Sequence, residues 1–279
     1  MEIIYGFIAI FFIGAISLIG IFMISLKEKT LDSILFVLVA FATGTILATA
    51  LFDLIPESLH HLEELIDEGA GLSENFVFGF IILGYVVFFI IERFIYWFHG
   101  HAHRRENEYV CYDTVTENLD KPVEKGPKIK NFALLNLIGD GLHNFLDGVI
   151  IIVAFTTSIG SGIVITLAVL FHELPQEVGD FGILLYGGFS RTKALLFNFL
   201  SAMIAMLGGL FALFLTGLVE TFNLFFLAFS GGGFLYLAST ELMPELLKQK
   251  KMKKSITQAL IFLAGVIVII LLVYILPHE

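Results

Sequence analysis

Eight apolar stretches, each close to the length that crosses a lipid bilayer, limit what this chain can fold into. They cover residues 3–26, 34–55, 76–98, 132–155, 162–186, 194–218, 222–243 and 256–276. A helix needs about 20 apolar residues to cross the hydrocarbon core, and it satisfies its own backbone polar groups there. With 57% apolar and 15% charged residues, the chain is predicted to be an all-α integral membrane protein with eight transmembrane helices.

Two local features and the overall charge narrow the class of protein further. Only the acidic Glu2 precedes the first stretch, whose apolar run is too long for a signal peptide, so we expect a retained helix. The single cysteine, Cys111, excludes an intramolecular disulfide and a cysteine metal cluster. A net charge of −10 argues against nucleic acid as a partner and leaves the lipid bilayer as the expected surroundings.

Positive charge is confined to one side of the predicted bundle. All 16 Lys and Arg residues fall in or beside the links that follow the first, third, fifth and seventh stretches. Because Lys and Arg collect on the cytoplasmic side, both chain ends are predicted outside and the long link inside, in a cell (inner) membrane. The opposite links, such as residues 57–74, contain acidic residues and no Lys or Arg, a distribution that attracts cations.

Polar residues that are unusual inside a membrane recur at helical spacing in the fourth and fifth stretches. They are Asn136, Asp140, His143, Asn144 and Asp147, and then His172, Glu173, Gln176, Glu177 and Asp180. Offsets of three and four residues place each set on one helical face. The sequence therefore predicts two facing stripes of carboxylate, amide and imidazole groups.

Five of these residues are acids, and their burial needs compensation. One ionised side chain at the bilayer centre costs roughly 2.5–3.5 kcal/mol, so five cost on the order of 15 kcal/mol if uncompensated. Neither stretch contains Lys or Arg, which leaves protons, water and bound cations. Imidazole and carboxylate without thiolate suit zinc, iron, manganese and similar divalent ions, and we interpret His143 and His172 as metal ligands.

Further polar residues predict a route to and from this site. Asp53, near the outer end of the second stretch, is either an entrance ligand or an interfacial acid. Ser201 in the sixth stretch supplies either an oxygen ligand or an interhelical hydrogen bond. Asp140, Asp180 and Glu241 are assigned to the pathway, with Asp180 and Glu241 on its cytoplasmic side.

The loop between the third and fourth stretches carries His99, His101 and His103 at alternate positions. Such a tract can hold a borderline divalent ion, so cytoplasmic metal capture and a solvated linker are the two interpretations. The charged remainder of the loop is predicted to be disordered.

The second and seventh stretches resemble each other at an offset of 188 residues. The corresponding pairs include Gly44 and Gly232, Asp53 and Glu241, Pro56 and Pro244, and Glu57 and Glu245. Because the two stretches cross in opposite directions, helices one to three and six to eight are predicted to be inverted repeats in a 3+2+3 arrangement. Chance similarity is the alternative. The chain is predicted to divide into four parts. Residues 1–98 contain helices one to three, 99–131 form the cytoplasmic loop, 132–186 contain helices four and five with the metal site, and 187–279 contain helices six to eight.

The fourth and fifth stretches carry two motifs, His143-Asn144-Phe145-Leu146-Asp147-Gly148 and His172-Glu173-Leu174-Pro175-Gln176-Glu177-Val178-Gly179-Asp180. These motifs resemble those of the ZIP family of divalent-metal transporters. The resemblance covers the whole chain. It implies a transporter rather than an enzyme, a metal site between helices four and five, an elevator-like slide, and no cofactor besides the transported ion. By the resemblance, His143, Asp147 and His172 line one site, and Asn144, Asp147 and Glu173 line a neighbouring one.

Two residues depart from the family pattern. Gln176 stands where relatives carry His, or Glu in some members, and its neutral amide bridges two cations weakly. Asp53 stands where many relatives carry His. Zn²⁺ is the first expected cargo. Because both departures remove imidazole, zinc is not assigned alone, and Fe²⁺, Mn²⁺ and Cd²⁺ are further expected cargoes. Gln176 and Glu177 complete the expected ligands. The sequence leaves a homodimer open.

Two other classes of function compete with metal transport. His172-Glu173 is half of a His-Glu-x-x-His zinc motif, which would suit an intramembrane hydrolase, although position 176 is Gln. A proton-coupled carrier of an organic solute would also use buried carboxylates. Hydrolysis without ion flux would favour the first class, and transport that survives chelation would favour the second.

Overall fold

The structure, a computed structural model, describes residues 2–19, 28–67, 69, 71–100, 131–216 and 221–276, and these ranges contain helices and turns but no strand. The helices are α1 (Glu2–Ile16), α2 (Glu28–Thr49), α3 (Ile55–Asp67), α4 (Glu74–Gly100), α5 (Asn131–Thr157), α6 (Ile159–Tyr186), α7 (Arg191–Ala202), α8 (Ile204–Thr216), α9 (Phe222–Tyr236), α10 (Met243–Leu247) and α11 (Met252–Ile275). In this part of the chain, eight helical segments are long and apolar enough to cross a membrane. The prediction of an all-α integral membrane protein with eight spans is confirmed.

Three of the eight spans combine two helices. Span two consists of α2 and α3, span six of α7 and α8, and span seven of α9 and α10. Spans one, three, four, five and eight are built on α1, α4, α5, α6 and α11.

Spans two and seven each contain a π-helical segment that ends two residues before a proline. The segments are Ala50–Leu54 and Leu237–Leu242, and each ends in a bond from an N–H to the carbonyl five residues earlier. A proline ring clashes with the carbonyl four residues earlier in a regular α-helix, and the wider π turn gives the rings of Pro56 and Pro244 room. Span two therefore continues beyond Pro56. Residues 56–67, which were expected to lie in the link after the second stretch, belong to α3 instead.

Two pairs of spans approach each other closely at glycines. A Cβ atom added at Gly44 in span two would lie 2.1 Å from the carbonyl oxygen of Phe262 in span eight. A Cβ atom added at Gly232 in span seven would lie 1.9 Å from the carbonyl oxygen of Ile81 in span three. Small residues permit such contacts between membrane helices. Gly44 and Gly232 are the pair related by the offset of 188 residues, so these contacts agree with an inverted repeat, which stays a prediction.

Span four runs through the middle of the bundle. None of the residues 149–154 is more than 1% exposed, because spans five and six pack against this helix. The polar stripe of span four ends immediately before this apolar stretch. Its side chains are therefore held inside the protein rather than against lipid.

Candidate metal centre

Four side chains from spans four and five meet inside the bundle. His143 and Asp147 lie one turn apart on α5, and His172 and Glu173 are neighbours on α6. One ligand atom from each of the four lies within 4.8 Å of the other three. Asp147 and His172 are 3% exposed and Glu173 is 1% exposed, whereas the side chain of His143 is 13% exposed. This metal cluster, as we call His143, Asp147, His172 and Glu173, is thus almost closed to solvent.

The separations between the ligand atoms of the metal cluster suit a single small cation. The Nε2 atoms of His143 and His172 are 3.2 Å apart. Oδ2 of Asp147 lies 3.7 Å from Nε2 of His143 and 3.2 Å from Nε2 of His172. Oε1 of Glu173 lies 3.5 Å from each of these two nitrogens. Ligand bonds of about 2.0–2.1 Å in a tetrahedral zinc site place ligand atoms about 3.3–3.4 Å from one another. The observed separations of 3.2–3.7 Å bracket that value.

The orientation of the His172 ring directs a lone pair towards the metal cluster. Its Nδ1 lies 3.1 Å from the carbonyl oxygen of Ala168, one turn earlier on α6. In the tautomer that carries its proton on Nδ1, the Nδ1–H donates a hydrogen bond to that oxygen. The lone pair is then on Nε2, which faces Asp147 and His143. Fixing one ring nitrogen by a backbone carbonyl is the usual way of orienting a metal-binding histidine.

Aromatic rings from spans three and seven close one side of the metal cluster. Phe88 contacts His143 edge-on with ring centroids 6.4 Å apart, and Phe234 contacts His172 in the same way at 5.9 Å. The space between these rings and Asp147 is only about 10 Å³. A hydrated ion cannot reach Asp147 from this side while the aromatic side chains keep these positions.

A cavity of about 270 Å³ reaches His143 from the other side. The residues of spans four and five that line it include Asn136, Asp140, Gln176 and Asp180. Asn136 and Asp180 lie towards the end of the bundle at which the basic links are found, so the cavity runs from the metal cluster towards that end. No Lys or Arg belongs to its lining among the described residues.

Span three and span seven contribute a polar pair to the same cavity. Glu92 and Tyr236 line it, and the Tyr236 hydroxyl donates a hydrogen bond to the Glu92 carboxylate. This pair was not predicted from the sequence. Glu92 was a detectable signal, because it is an acid near the end of an otherwise apolar stretch, but nothing in the sequence links it to Tyr236.

Amide side chains hold the carboxylates that surround the metal cluster. Nδ2 of Asn144 donates to Oδ1 of Asp140 at 2.9 Å, and Nε2 of Gln176 donates to the same oxygen at 3.4 Å. Nδ2 of Asn198 donates to the Glu177 carboxylate. Two further contacts complete this layer: Asn136 donates to Asp180 at 2.7 Å, and Ser201 donates to the Leu137 carbonyl at 3.1 Å. The metal cluster therefore does not include Asn144, Gln176 and Glu177, which lie beside it. Metal binding by these three residues stays a prediction.

Asp53 lies towards the opposite end of the bundle from Asp180. It is 3% exposed, and its Oδ1 accepts a hydrogen bond from the Ser161 hydroxyl at 3.0 Å, while Oδ2 is buried without a hydrogen-bond partner among the described residues. Ser161 precedes His172 by eleven residues on one helix, a distance of about 16 Å. Asp53 is therefore not a ligand of the metal cluster.

Four predicted residues cannot be placed by their side chains. The backbones of His99 and Glu241 belong to helical segments, but their side chains are outside what the structure describes. His101 and His103 lie entirely outside the described residues.

Eight membrane-spanning segments around a buried cluster of imidazole and carboxylate groups define an integral membrane protein with a candidate metal site in its interior. The chain belongs to the ZIP zinc transporter family, because the model of that family, described as "ZIP Zinc transporter", matches residues 2–273. The resemblance found in the sequence is confirmed. The family consists of transporters rather than enzymes, so the intramembrane hydrolase is not favoured.

Named relatives give the same family. The chain is 33% identical over 242 residues to "Zinc transporter zipt-7.1" of Caenorhabditis briggsae, covering 76% of this chain and 62% of the relative. It is 31% identical over 294 residues to "Metal cation symporter ZIP14" of Xenopus tropicalis (87% and 61%) and 30% identical over 296 residues to "Metal cation symporter ZIP8" of Homo sapiens (87% and 62%). The chain thus spans about six-tenths of the length of these relatives.

Proposed function

We propose that this chain carries divalent transition-metal cations across a membrane, with Zn²⁺ as the first cargo and Fe²⁺, Mn²⁺ and Cd²⁺ as further ones. One observation carries the proposal. Two imidazoles and two carboxylates meet in the middle of a membrane bundle, and the distances from each imidazole Nε2 to the other and to both carboxylates are 3.2–3.7 Å, close to those of a tetrahedral zinc site. The names of the relatives, zinc transporter and metal cation symporter, support the same cargo class.

The proposed route runs past Asp53, through the metal cluster, and out through the cavity that contains Asp140 and Asp180. Two features support the inward direction. The links free of basic residues attract cations at the Asp53 end, and the basic links support a cytoplasmic position for the cavity end. Both chain ends are then outside, in a cell (inner) membrane.

We propose one tightly held cation rather than two. The four clustered ligand atoms surround one small volume, and Asp140, a carboxylate in the adjoining cavity, is already hydrogen-bonded to the amides of Asn144 and Gln176. A neutral amide at position 176 adds little attraction for a second charge. A second cation would have to displace these hydrogen bonds.

The cation needs access from alternate sides, and the packing suggests which spans move together. Spans one, four and six pack against one another, whereas span two packs on eight and span three on seven. We propose that spans one, four, five and six shift together against spans two, three, seven and eight, with the loop 99–131 on the cytoplasmic side. Phe88 and Phe234, contributed by spans three and seven, would then leave the two histidines.

Replacing His143 with Ala tests the proposal. In proteoliposomes, uptake of radiolabelled Zn²⁺ should fall about tenfold or more, because a ligand of the metal cluster is lost. Leu142→Ala is the matched control, since Leu142 is the preceding residue and is 49% exposed on the surface of the span. Uptake by His143→Ala equal to that of Leu142→Ala would exclude this site, and uptake that survives chelation would favour an organic solute as cargo.

A further inference from the structure

The helix α3 carries metal-ligand side chains that the metal cluster and its cavity do not use. One face of α3 is apolar, and its Leu59, Leu62 and Leu65 pack against residues of spans three and seven. Glu57, His60, His61 and Glu64 recur at offsets of three and four residues, which places them together on a different face.

Both imidazoles on this face lie next to one carboxylate. Nδ1 of His61 is 3.2 Å from Oε2 of Glu64, and Nδ1 of His60 is 3.8 Å from Oε1 of the same residue. The Glu64 side chain is 57% exposed and that of His60 is 66% exposed, so a solvated cation can reach both. The other ring nitrogen of His61, Nε2, is buried without a hydrogen-bond partner in the part of the chain that the structure describes. Nδ1 is therefore the nitrogen through which His61 can bind a ligand.

No basic residue of the neighbouring sequence neutralises this helix. α3 contains the four acids Glu57, Glu63, Glu64 and Asp67, and the sequence has no Lys or Arg between Lys29 and Arg93. Acidic side chains close together on one helix repel one another, and a divalent cation relieves that repulsion. Imidazole beside carboxylate favours a transition metal such as zinc over Ca²⁺ or Mg²⁺.

The position of this face connects it to the buried part of the route. α3 follows directly on the π-helical segment that contains Asp53, and His60 and His61 are about 10–12 Å further along the helix axis. Glu57 lies one turn from Asp53 and interacts with it electrostatically. Carboxylates thus follow one another from Glu64 through Glu57 to Asp53.

We propose that His60, His61 and Glu64 form a surface site that captures a divalent transition-metal cation ahead of Asp53. The inference rests on the proposed function, because a capture site at this position serves a transporter of the same cation. The binding itself needs no transport, so the two can be tested separately.

Protection of the histidines from chemical modification tests the binding. Diethyl pyrocarbonate modifies accessible imidazoles, and mass spectrometry of the detergent-purified full chain resolves His60 and His61. At a Zn²⁺ concentration about four times the dissociation constant, modification of both should slow about fivefold, and Ca²⁺ at the same concentration should not slow it. Glu64→Gln should abolish the protection. Glu63→Gln, which removes the same charge from the same helix, should keep it. Absence of protection in the unchanged protein, or equal protection in the two variants, would overturn the surface site.

Uptake measurements then test the role of the site. His60→Ala combined with His61→Ala should raise the half-saturating Zn²⁺ concentration about threefold or more, through the lost local enrichment, while the maximal rate stays unchanged. An unchanged half-saturating concentration would overturn capture. If the unchanged protein moves no metal, the proposed function fails, but the protection result still decides whether the surface site exists.

Discussion

Gln176 is the residue that most distinguishes the candidate metal centre from the pattern of its family. Its amide donates to Asp140 at 3.4 Å, and its side chain lines the cavity next to the metal cluster. An imidazole at this position would offer a lone pair to a cation where the amide offers a weaker oxygen. The side chain at position 176 should therefore influence both how tightly Zn²⁺ is held and how strongly it is preferred over Mn²⁺.

Gln176→His should lower the half-saturating Zn²⁺ concentration by about tenfold, the scale on which a residue at a metal site changes affinity. Preference for Zn²⁺ over Mn²⁺ should rise with it, because imidazole suits zinc better. Competition between the two metals during uptake of radiolabelled Zn²⁺ measures both effects. Gln249→His is the control, since Gln249 lies in the link after span seven. Equal metal preference in the two variants would contradict the role of position 176.

The two π-helical segments are the elements that most change how spans two and seven are built. Each allows a proline to sit inside a continuous span, and the one in span two also contains Asp53. An inserted residue in a helix rotates everything beyond it by about 100° relative to a regular helix, since an α-helix has 3.6 residues per turn. The direction of the Asp53 side chain and of the histidine face of α3 thus depends on this local widening.

Close packing at the paired glycines should be sensitive to one added methyl group. Gly44→Ala and Gly232→Ala each place Cβ within about 2 Å of a carbonyl oxygen, so the helices must separate, and each variant should lose about 1–3 kcal/mol of stability. Gly79→Ala on span three is the control, because no atom lies within 4 Å of the added Cβ. Thermal unfolding in detergent measures all three, and equal loss in Gly79→Ala would refute the packing argument.

At the scale of the whole molecule, hydropathy located all eight spans because a bilayer imposes a minimum apolar length on every helix that crosses it. Helical periodicity likewise identified the four residues of the metal cluster as candidates. The periodicity predicted which residues share a helical face, but it did not predict which side-chain atoms contact one another. Asp53 and Ser161 are 108 residues apart in sequence, and Glu92 and Tyr236 are 144 apart. Such contacts depend on how separate spans pack, which local patterns do not determine.

The orientation of the molecule can be tested with one matched pair of cysteines. In a chain carrying Cys111→Ser, Ser73→Cys and Ser190→Cys each place a single thiol at an exposed position at the opposite ends of the bundle. With the chain ends outside, an impermeant maleimide should label Ser73→Cys on intact cells and Ser190→Cys only after permeabilisation. The reverse pattern would place the cavity on the external side and invert the proposed direction of transport.

The size of the cavity beside His143 has a consequence for hydration. A cavity needs at least about 10–15 Å³ to hold one water molecule, so about 270 Å³ has room for more than the six waters of a complete octahedral aqua ion. On the proposed route, a cation that leaves the two imidazoles towards this space would regain its full water shell while still inside the protein. Bonds to His143 can then be exchanged one at a time for bonds to water, so release never requires a bare ion.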